Sequence, residues 1–139
     1  MIVLDTNILI AALLKEGITR KIILESSLDL AYPEVSLQEI IKYRPYILEK
    51  SGYTAYEFET ILNKLLEYIT LVSLPLIEQK MNEAKKIMAH IDVNDVVFIA
   101  AALALDEAQI WSEDKDFERQ KKIKIVKTSE LIAKFHKGS

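Results

Sequence analysis

The sequence predicts an α/β domain in which helices cover both faces of a central parallel sheet of about five strands. Its 139 residues are enough for one domain with a substantial core and too few for two. Half of the residues are hydrophobic and 28% are charged, as in globular proteins. Short β-type runs alternate with longer helical runs along the chain, which implies right-handed crossovers between parallel strands.

The first elements follow from apolar runs and their boundaries. The continuous apolar run at 2–4 indicates a strand covered on both faces. Residues 8–14 then read as a helix that stops near Gly17, and Thr19 opens a second helix with apolar residues at helical intervals. A short second strand is predicted at 30–32, ended by Pro33.

Two helices are predicted between the second and third strands. Ser36 begins a helix that runs to about residue 50, disturbed at Pro45 because the proline ring removes a donor and clashes with the preceding turn. Thr54 and Glu57 form a capping-box pattern. The helical face that follows this pattern consists of Phe58, Ile61, Leu62, Leu65 and Tyr68.

The remaining chain predicts three more strands and three more helices. A third strand is expected at 71–72 and a helix at 77–88. The segment 93–105 is apolar nearly all round, which is typical of a buried helix. Strands at 109–112 and 123–126 and a last helix at 129–135 complete the pattern.

Composition excludes several classes of function. The chain has no cysteine, which removes thiolate zinc sites, disulfides and cysteine nucleophiles. None of its three glycines stands in a phosphate-cradling run, and two histidines leave little room for a histidine metal cage. Carboxylates are plentiful, and the net charge of −3 neither requires nor forbids nucleic acid.

No segment of the sequence resembles a membrane span or a secretory signal. The longest uncharged apolar stretch, 96–105, has ten residues, too few to span a bilayer. The amino-terminal apolar run lacks a basic leader and contains Asp5. We therefore expect a soluble, cytoplasmic protein that does not bind membranes.

Three groups of acidic residues, six residues in all, fall where the predicted strands end or beside those ends, and open parallel sheets form their sites there. Asp5 directly follows the first strand, and Asp114 and Asp116 follow the fourth. The others are Asp92 and Asp95, at the head of the buried helix, and Glu39, in the first turn of the helix after the second strand.

Each acid also has a structural interpretation. Asp5 could cap the helix that follows it, and Ser36 with Glu39 matches a capping box. The acids at 92 and 95 could interact with a helix dipole, and those at 114 and 116 could be turn residues. These alternatives stay open for each acid taken alone.

Taken together, the acids indicate a divalent cation. Carboxylates within ~4 Å of one another repel by up to ~4 kcal/mol per pair at an effective dielectric of 20, which a fold tolerates when a cation lies among them. Oxygen ligands alone favour Mg²⁺ or Mn²⁺ over zinc. A cation of this kind keeps several waters and suits hydrolysis of a phosphodiester. Asn7 and Ser112 are suited to orienting the ligands through hydrogen bonds.

Basic residues in the last quarter of the chain offer a candidate nucleic-acid contact. Lys115 stands between Asp114 and Asp116. The candidate phosphate-binding residues are Lys115, Lys121, Lys122 and Lys124, with Lys127 beside them. The alternative is a solvated sheet edge, on which lysines discourage strand pairing between molecules.

At these residues the sequence resembles the PIN-domain nucleases, and within them the VapC-like toxins of bacteria and archaea. The resemblance covers essentially the whole chain. It consists of the opening IVLDTNILIAAL, the helix that carries Glu39, the segment Asp92-Val93-Asn94-Asp95 followed by VVFIAAALAL, and IWSEDKDF.

The resemblance implies a three-layer α/β/α fold with sheet order 3-2-1-4-5, and Mg²⁺- or Mn²⁺-dependent cleavage within RNA. It carries over Asp5, Glu39, Asp95 and Asp114 as the acidic quartet, Asp92 and Asp116 as auxiliary acids, and Thr6, Asn7 and Ser112 as supporting polar positions. Either Asp92 or Asp95 would contact the metal. The resemblance also implies a homodimer and, for a toxin, a small antitoxin that blocks the site.

Two other functions remain as alternatives. The chain could be a binding module of the same fold that holds RNA or a protein without cleaving. It could also be a phosphatase or receiver-type domain that uses a phospho-aspartate at Asp5, although Asn7 stands where a phosphatase of this kind has a second aspartate. Aromatic residues could form a partner surface or ordinary core, namely Tyr43, Tyr46, Tyr53, Tyr56 and Phe58.

Overall fold

The computed structural model describes residues 1–88 and 93–138, with the backbone alone for 135–138. Five strands form one sheet. They are β1 (Ile2–Leu4), β2 (Leu30–Pro33), β3 (Ile69–Val72), β4 (Gln109–Trp111) and β5 (Ile125–Val126). The described helices are α1 (Thr6–Leu14), α2 (Ile18–Glu25), α3 (Leu37–Ser51), α4 (Ala55–Leu66), α5 (Leu74–Glu78), α6 (Met81–Ile87), α7 (Val93–Ala104) and α8 (Thr128–Gly138).

The sheet is parallel throughout, and its order β3-β2-β1-β4-β5 confirms the expected 3-2-1-4-5 topology. From β1 the chain moves outward through β2 to β3, then returns across the sheet to β4. Right-handed crossovers therefore place α1–α4 on one face and α5–α7 on the other. Because β1 pairs with both β2 and β4, the direction in which successive strands are added to the sheet reverses between β1 and β4, and ligands bind at such switch points.

The core lies on both faces of the central strands. Val3, Leu4, Ala31, Ile110 and Trp111 are fully buried, as expected for strands covered on both sides. On the second face, α7 packs against β1, β2 and β4. Its residues 98–103 are all buried, which confirms the expected buried helix.

Two helices differ from the sequence prediction. α3 continues through Pro45, because Pro45 and Ile41, whose carbonyl loses its donor, are both exposed and water can hydrate that carbonyl. The helix expected at 77–88 is instead two helices, α5 and α6, with a break at Gln79 and Lys80. Both α5 and α6 pack on α7, so the break lets each of the two helices lie along the surface of α7.

Short turns of 3-10 helix occupy 34–36 and 115–119, which the sequence did not predict.

Among the residues described, no helix is long and apolar enough to cross a membrane.

Candidate metal centre

Four of the six predicted acids meet at one cavity beyond the carboxyl ends of β1 and β4. It has a volume of about 160 Å³. Its walls come from the start of α1, the first turns of α3, the start of α7 and the segment after β4. The residues that line it are Asp5, Thr6, Asn7, Glu39, Tyr43, Asn94, Asp95, Phe98 and Asp114.

Asp5 sits at the floor of this cavity and is only 4% exposed. Its backbone N–H donates to the Trp111 carbonyl at 3.1 Å, which extends the pairing of β1 with β4 by one residue. Its Oδ1 accepts from the Ile8 N–H at 2.9 Å and so caps α1. Its Oδ2 accepts from the Ser112 hydroxyl. Asp5 therefore caps a helix and faces the cavity at once.

Burial raises the pKa of Asp5 above its ordinary value, because desolvation disfavours the charged carboxylate. The hydrogen bonds from Ser112 and Ile8 oppose this increase, and the negative charge of Asp114 adds to it. The site thus places a carboxylate where a second negative charge already stands. A cation between the Asp5 and Asp114 carboxylates would offset both the desolvation of charged Asp5 and its repulsion by Asp114.

Ser112 joins the two acidic strand ends. Leu4 is in register with Trp111, so the next residues, Asp5 and Ser112, lie side by side. The Ser112 hydroxyl donates to Asp5 and accepts from the Asp114 N–H at 2.9 Å. Ser112 is fully buried, so these contacts fix the direction of the chain as it leaves β4.

Three carboxylates form a close group at the mouth of the cavity. Asp95, Asp114 and Asp116 each offer one oxygen, and these oxygens lie within 4.8 Å of one another. Asp114 also accepts from the Asp116 N–H at 2.9 Å, which holds the turn at 115–119. The Nε of Arg119 lies 3.8 Å from Asp116. Asp5 lines the same cavity but is not a member of this group.

The spacing and chemistry of this group fit a hard divalent cation. Octahedral Mg²⁺ holds oxygens at about 2.1 Å, so opposite ligands lie about 4.2 Å apart. Adjacent ligands lie about 3.0 Å apart, so oxygens 4.8 Å apart would need to approach by about 0.6 Å as opposite ligands and by about 1.8 Å as adjacent ones. Carboxylate oxygens are the ligands that Mg²⁺ and Mn²⁺ prefer. The group could therefore bind such a cation.

Glu39 reaches the cavity through a different contact from its predicted capping box. Ser36 makes no side-chain cap to α3. Glu39 Oε1 instead accepts from the Thr6 hydroxyl at 2.9 Å. The Thr6 hydroxyl also lies 2.8 Å from the Tyr32 hydroxyl, which donates to the Ser36 carbonyl at 2.9 Å. Glu39 is thereby tied to α1 and β2.

Tyr32 was not among the residues predicted for the site. Its ring is fully buried at the end of β2, and desolvation, with the charges of Glu39 and Asp5, raises the pKa of its phenol. It therefore stays a neutral hydroxyl. Its position at the carboxyl end of a strand next to β1 was the available signal. Tyr43 was also missed, although it lies four residues after Glu39 on the same helix face.

The structure brings together most of the predicted site residues. Asp5, Glu39, Asp95 and Asp114 line one cavity with Thr6 and Asn7, Asp116 lies against Asp95 and Asp114, and Ser112 lies beneath Asp5. Asp92 falls outside the described residues.

Most of the predicted lysines lie elsewhere. Lys115 is exposed on the turn beside Asp114. A second, shallower cavity of about 510 Å³ is lined by Lys121, Lys122, Lys124 and Lys127. It shares no described lining residue with the acidic cavity. Two of its lysines are paired, Lys122 with Glu107 at 2.8 Å and Lys127 with Glu118 at 3.0 Å, and these hydrogen bonds raise the pKa of both lysines.

The aromatic residues divide between core and surface. Phe58 is buried, whereas Tyr43, Tyr46 and Tyr56 are exposed by 41%, 48% and 80%. Tyr53 is half-buried, and its hydroxyl accepts from Arg20 at 3.2 Å.

Fold and site define a doubly wound α/β protein with a cluster of carboxylates at the switch point of its sheet. A family model described as a PIN domain matches residues 3–134. The chain belongs to the PIN-domain family, whose members are generally nucleases. A comparison with curated proteins finds no match to this chain.

Proposed function

We propose that this protein is a Mg²⁺- or Mn²⁺-dependent endoribonuclease that hydrolyses phosphodiester bonds of RNA. The observation that carries the proposal is the convergence of acids from four separate segments on one cavity, two of which, Asp95 and Asp114, have oxygens within 4.8 Å of each other and of Asp116. Membership of the PIN-domain family supports the same reaction class.

Within this proposal, Asp95, Asp114 and Asp116 hold the cation with Asp5, and Asp92 is an alternative or additional ligand. When bound there, Mg²⁺ or Mn²⁺ supplies Lewis-acid chemistry, which makes water more nucleophilic and neutralises charge on the phosphate. Asp5, Glu39, Asp95 and Asp114 are the proposed catalytic acids.

The neighbouring polar residues orient these acids. Ser112 holds Asp5 and the Asp114 backbone, and Thr6 holds Glu39. Asn7 lines the same cavity and is exposed, so its amide can contact an incoming phosphate. Lys115 is exposed beside Asp114, where its ammonium can contact the RNA backbone. The lysines at 121, 122 and 124 would serve only a substrate long enough to reach the second cavity.

A cleavage assay tests the proposal. Purified protein should cleave a labelled single-stranded RNA in Mn²⁺, and chelation should stop the reaction. Asp5→Asn should abolish cleavage, because it removes a carboxylate from the cavity floor. Asp106→Asn is a matched control: Asp106 is exposed and in the left-handed region (φ 57°), which asparagine also tolerates. Unchanged cleavage in Asp5→Asn would remove Asp5 from the mechanism.

We extend the proposal to the toxin of a toxin–antitoxin pair that acts in the cytoplasm as a homodimer. The resemblance of the opening motif and of the IWSEDKDF segment to VapC-like toxins supports this role. Expression of the protein alone should slow growth, and a small protein encoded just upstream should relieve it by covering the acidic cavity. Normal growth under expression of an active nuclease would contradict the toxin role and leave the nuclease proposal intact.

One observation favours a second candidate, a PIN-fold module that binds RNA or protein without cleaving it. Both oxygens of Asp5 are already hydrogen-bonded, to Ile8 and to Ser112, and Asp116 has Arg119 as a partner. These contacts give both acids a structural role. Metal-independent RNA binding, without cleavage of varied substrates in Mg²⁺ or Mn²⁺, would favour this candidate.

A further inference from the structure

Tyr43 is the exposed aromatic residue in the wall of the acidic cavity. It lies one turn after Glu39 on α3, and its side chain is 41% exposed. The other aromatic side chain that lines the described cavity, Phe98, is 2% exposed. Phe98 is part of the core, with ring centroids 6.0 Å from Tyr32 and 6.4 Å from Phe117. Of the two, Tyr43 alone presents a ring to a ligand.

Lys42 does not line the described cavity, but it places a cation beside the ring of Tyr43. Its Nζ lies 6.0 Å from the centroid of the Tyr43 ring, at the outer limit of a cation–π contact. Lys42 is exposed and belongs to none of the ion pairs found among residues 1–88 and 93–138. The site thus combines carboxylates, an exposed aromatic ring and an exposed ammonium.

This combination matches the chemistry of a nucleotide. A cation held by the carboxylates would attract the phosphate, the ammonium of Lys42 would attract the next phosphate, and the ring can stack on a base. Aromatic residues beside a backbone-binding groove are a common device for unpaired bases. A base inside a duplex is already stacked on its neighbours, so its face is not available to Tyr43.

We infer that Tyr43 stacks against an unpaired base next to the cleaved phosphodiester, with Lys42 contacting the adjacent phosphate. This inference rests on the proposed nuclease function and adds to it the two residues that would contact the base and the phosphate beside the cleavage position. Tyr43 is then a specificity-determining residue. It contacts the substrate without taking part in bond cleavage.

Binding is measured by fluorescence anisotropy of a labelled single-stranded RNA in Mn²⁺, with Asp5→Asn as the background so that the RNA stays intact. Adding Tyr43→Ala should weaken binding by about 5- to 140-fold, the range expected for loss of one stacked base. Tyr43→Phe should stay within about twofold, because stacking needs the ring and not the hydroxyl. In the active protein, Tyr43→Ala should raise KM more than it lowers kcat.

Two exposed tyrosines provide matched controls. Tyr46 is on the same helix and 48% exposed, and Tyr56 is 80% exposed on α4; neither lines the described acidic cavity. Tyr46→Ala and Tyr56→Ala should leave RNA affinity unchanged. The same RNA annealed to its complement should bind more weakly to the parent protein than the single strand does. Tyr43→Ala should reduce this difference in affinity between single-stranded and double-stranded RNA.

The outcomes separate this inference from the proposed function. Absence of cleavage by the otherwise unmodified protein counts against the nuclease, while the anisotropy of Tyr43→Ala still decides whether Tyr43 binds RNA. Cleavage with equal affinities for Tyr43→Ala and its parent overturns the role of Tyr43 alone. A Tyr43→Ala protein that changes its sedimentation but not its RNA affinity also overturns it, since the ring would then belong to an interface between copies.

Discussion

The group of Asp95, Asp114 and Asp116 carries like charges that the metal-free protein must tolerate. At 4.8 Å, the upper limit of their spacing, two unit charges repel by about 0.9 kcal/mol in water and about 3.5 kcal/mol at a dielectric of 20. All three side chains are half-buried, and Arg119 lies near Asp116, so screening is substantial. We therefore assign about 1 kcal/mol to each of the two repulsions that Asp95 and Asp116 exert on Asp114.

Asp114→Asn should then stabilise the metal-free protein by about 1–2 kcal/mol and raise its Tm by about 3–8 °C. The turn should survive, because an amide oxygen can still accept from the Asp116 N–H. With Mn²⁺ at about a hundred times its Kd, the parent protein should gain about 2.7 kcal/mol. The variant lacks a charged ligand and should gain far less, so the order of stability reverses.

Calorimetry of chelated protein, repeated with Mn²⁺ and at two salt concentrations, measures both effects. The gain of Asp114→Asn should shrink at high salt, because ions screen the repulsion that it relieves. Glu78→Gln is the control for loss of an exposed negative charge, since Glu78 lies on α5 and joins none of the ion pairs between described residues. A chelated Asp114→Asn protein less stable than its parent at low salt would refute the reasoning. An equal Tm increase from Mn²⁺ in both proteins would show that the cation binds elsewhere.

Three further predictions concern the acid at the cavity floor, its partner and the end of α3. Burial raises the pKa of Asp5 above 3.8. Below pH 3.8 Asp5 therefore makes its full contribution to the stability of the folded state, and this contribution is lost as the pH rises through the raised pKa of the folded state. Urea denaturation of metal-free protein from about pH 4 to pH 8 should therefore show a smaller loss of stability for Asp5→Asn than for the parent; parallel profiles would contradict this. Ser112→Ala should cost about 1–3 kcal/mol and weaken Mn²⁺ binding in calorimetric titration, because it removes the donor to Oδ2 of buried Asp5 and leaves the Ile8 N–H on Oδ1; unchanged affinity would show that Ser112 does not position the site. Gly52→Ala should cost about 1 kcal/mol in thermal melts without lowering activity, since Gly52 ends α3 at φ 74° and an added Cβ meets nothing within 4 Å; an unchanged Tm would refute the assignment of strain to this backbone.

The sheet could be predicted because apolar runs and their order determine it. The run at 2–4 is too apolar for a half-exposed strand, and strands separated by helices predicted a parallel sheet. The strand order 3-2-1-4-5 was implied by the resemblance to the PIN-domain family. The break between α5 and α6 could not be predicted. Neither Gln79 nor Lys80 is a helix breaker, and the break reflects packing on α7, which depends on residues distant in sequence.

The acidic positions could be predicted as a set, because each stands at or near the carboxyl end of a strand or at the start of a helix. Their separate roles could not. Glu39 matches a capping box with Ser36 in the sequence, yet in the structure it accepts from Thr6. The deciding contact spans 33 residues and arises because the start of α1 lies beside the start of α3. Local pattern identifies the carboxylate, and tertiary contact decides what it binds.

Asp5 shows why the structural and the functional interpretations of these acids are compatible. As the cap of α1 it accepts from Ile8, which fixes its rotamer and places its carboxylate at the positive end of the helix dipole. Such a carboxylate is well oriented to act as a metal ligand. Its hydrogen bond and the helix dipole leave it less negative charge with which to attract a cation. The neighbouring Asp114 and its partners supply the remaining charge. A site with Asp5 alone would therefore be a helix cap, and the acids that follow β4 and begin α7 are what make it a candidate metal centre.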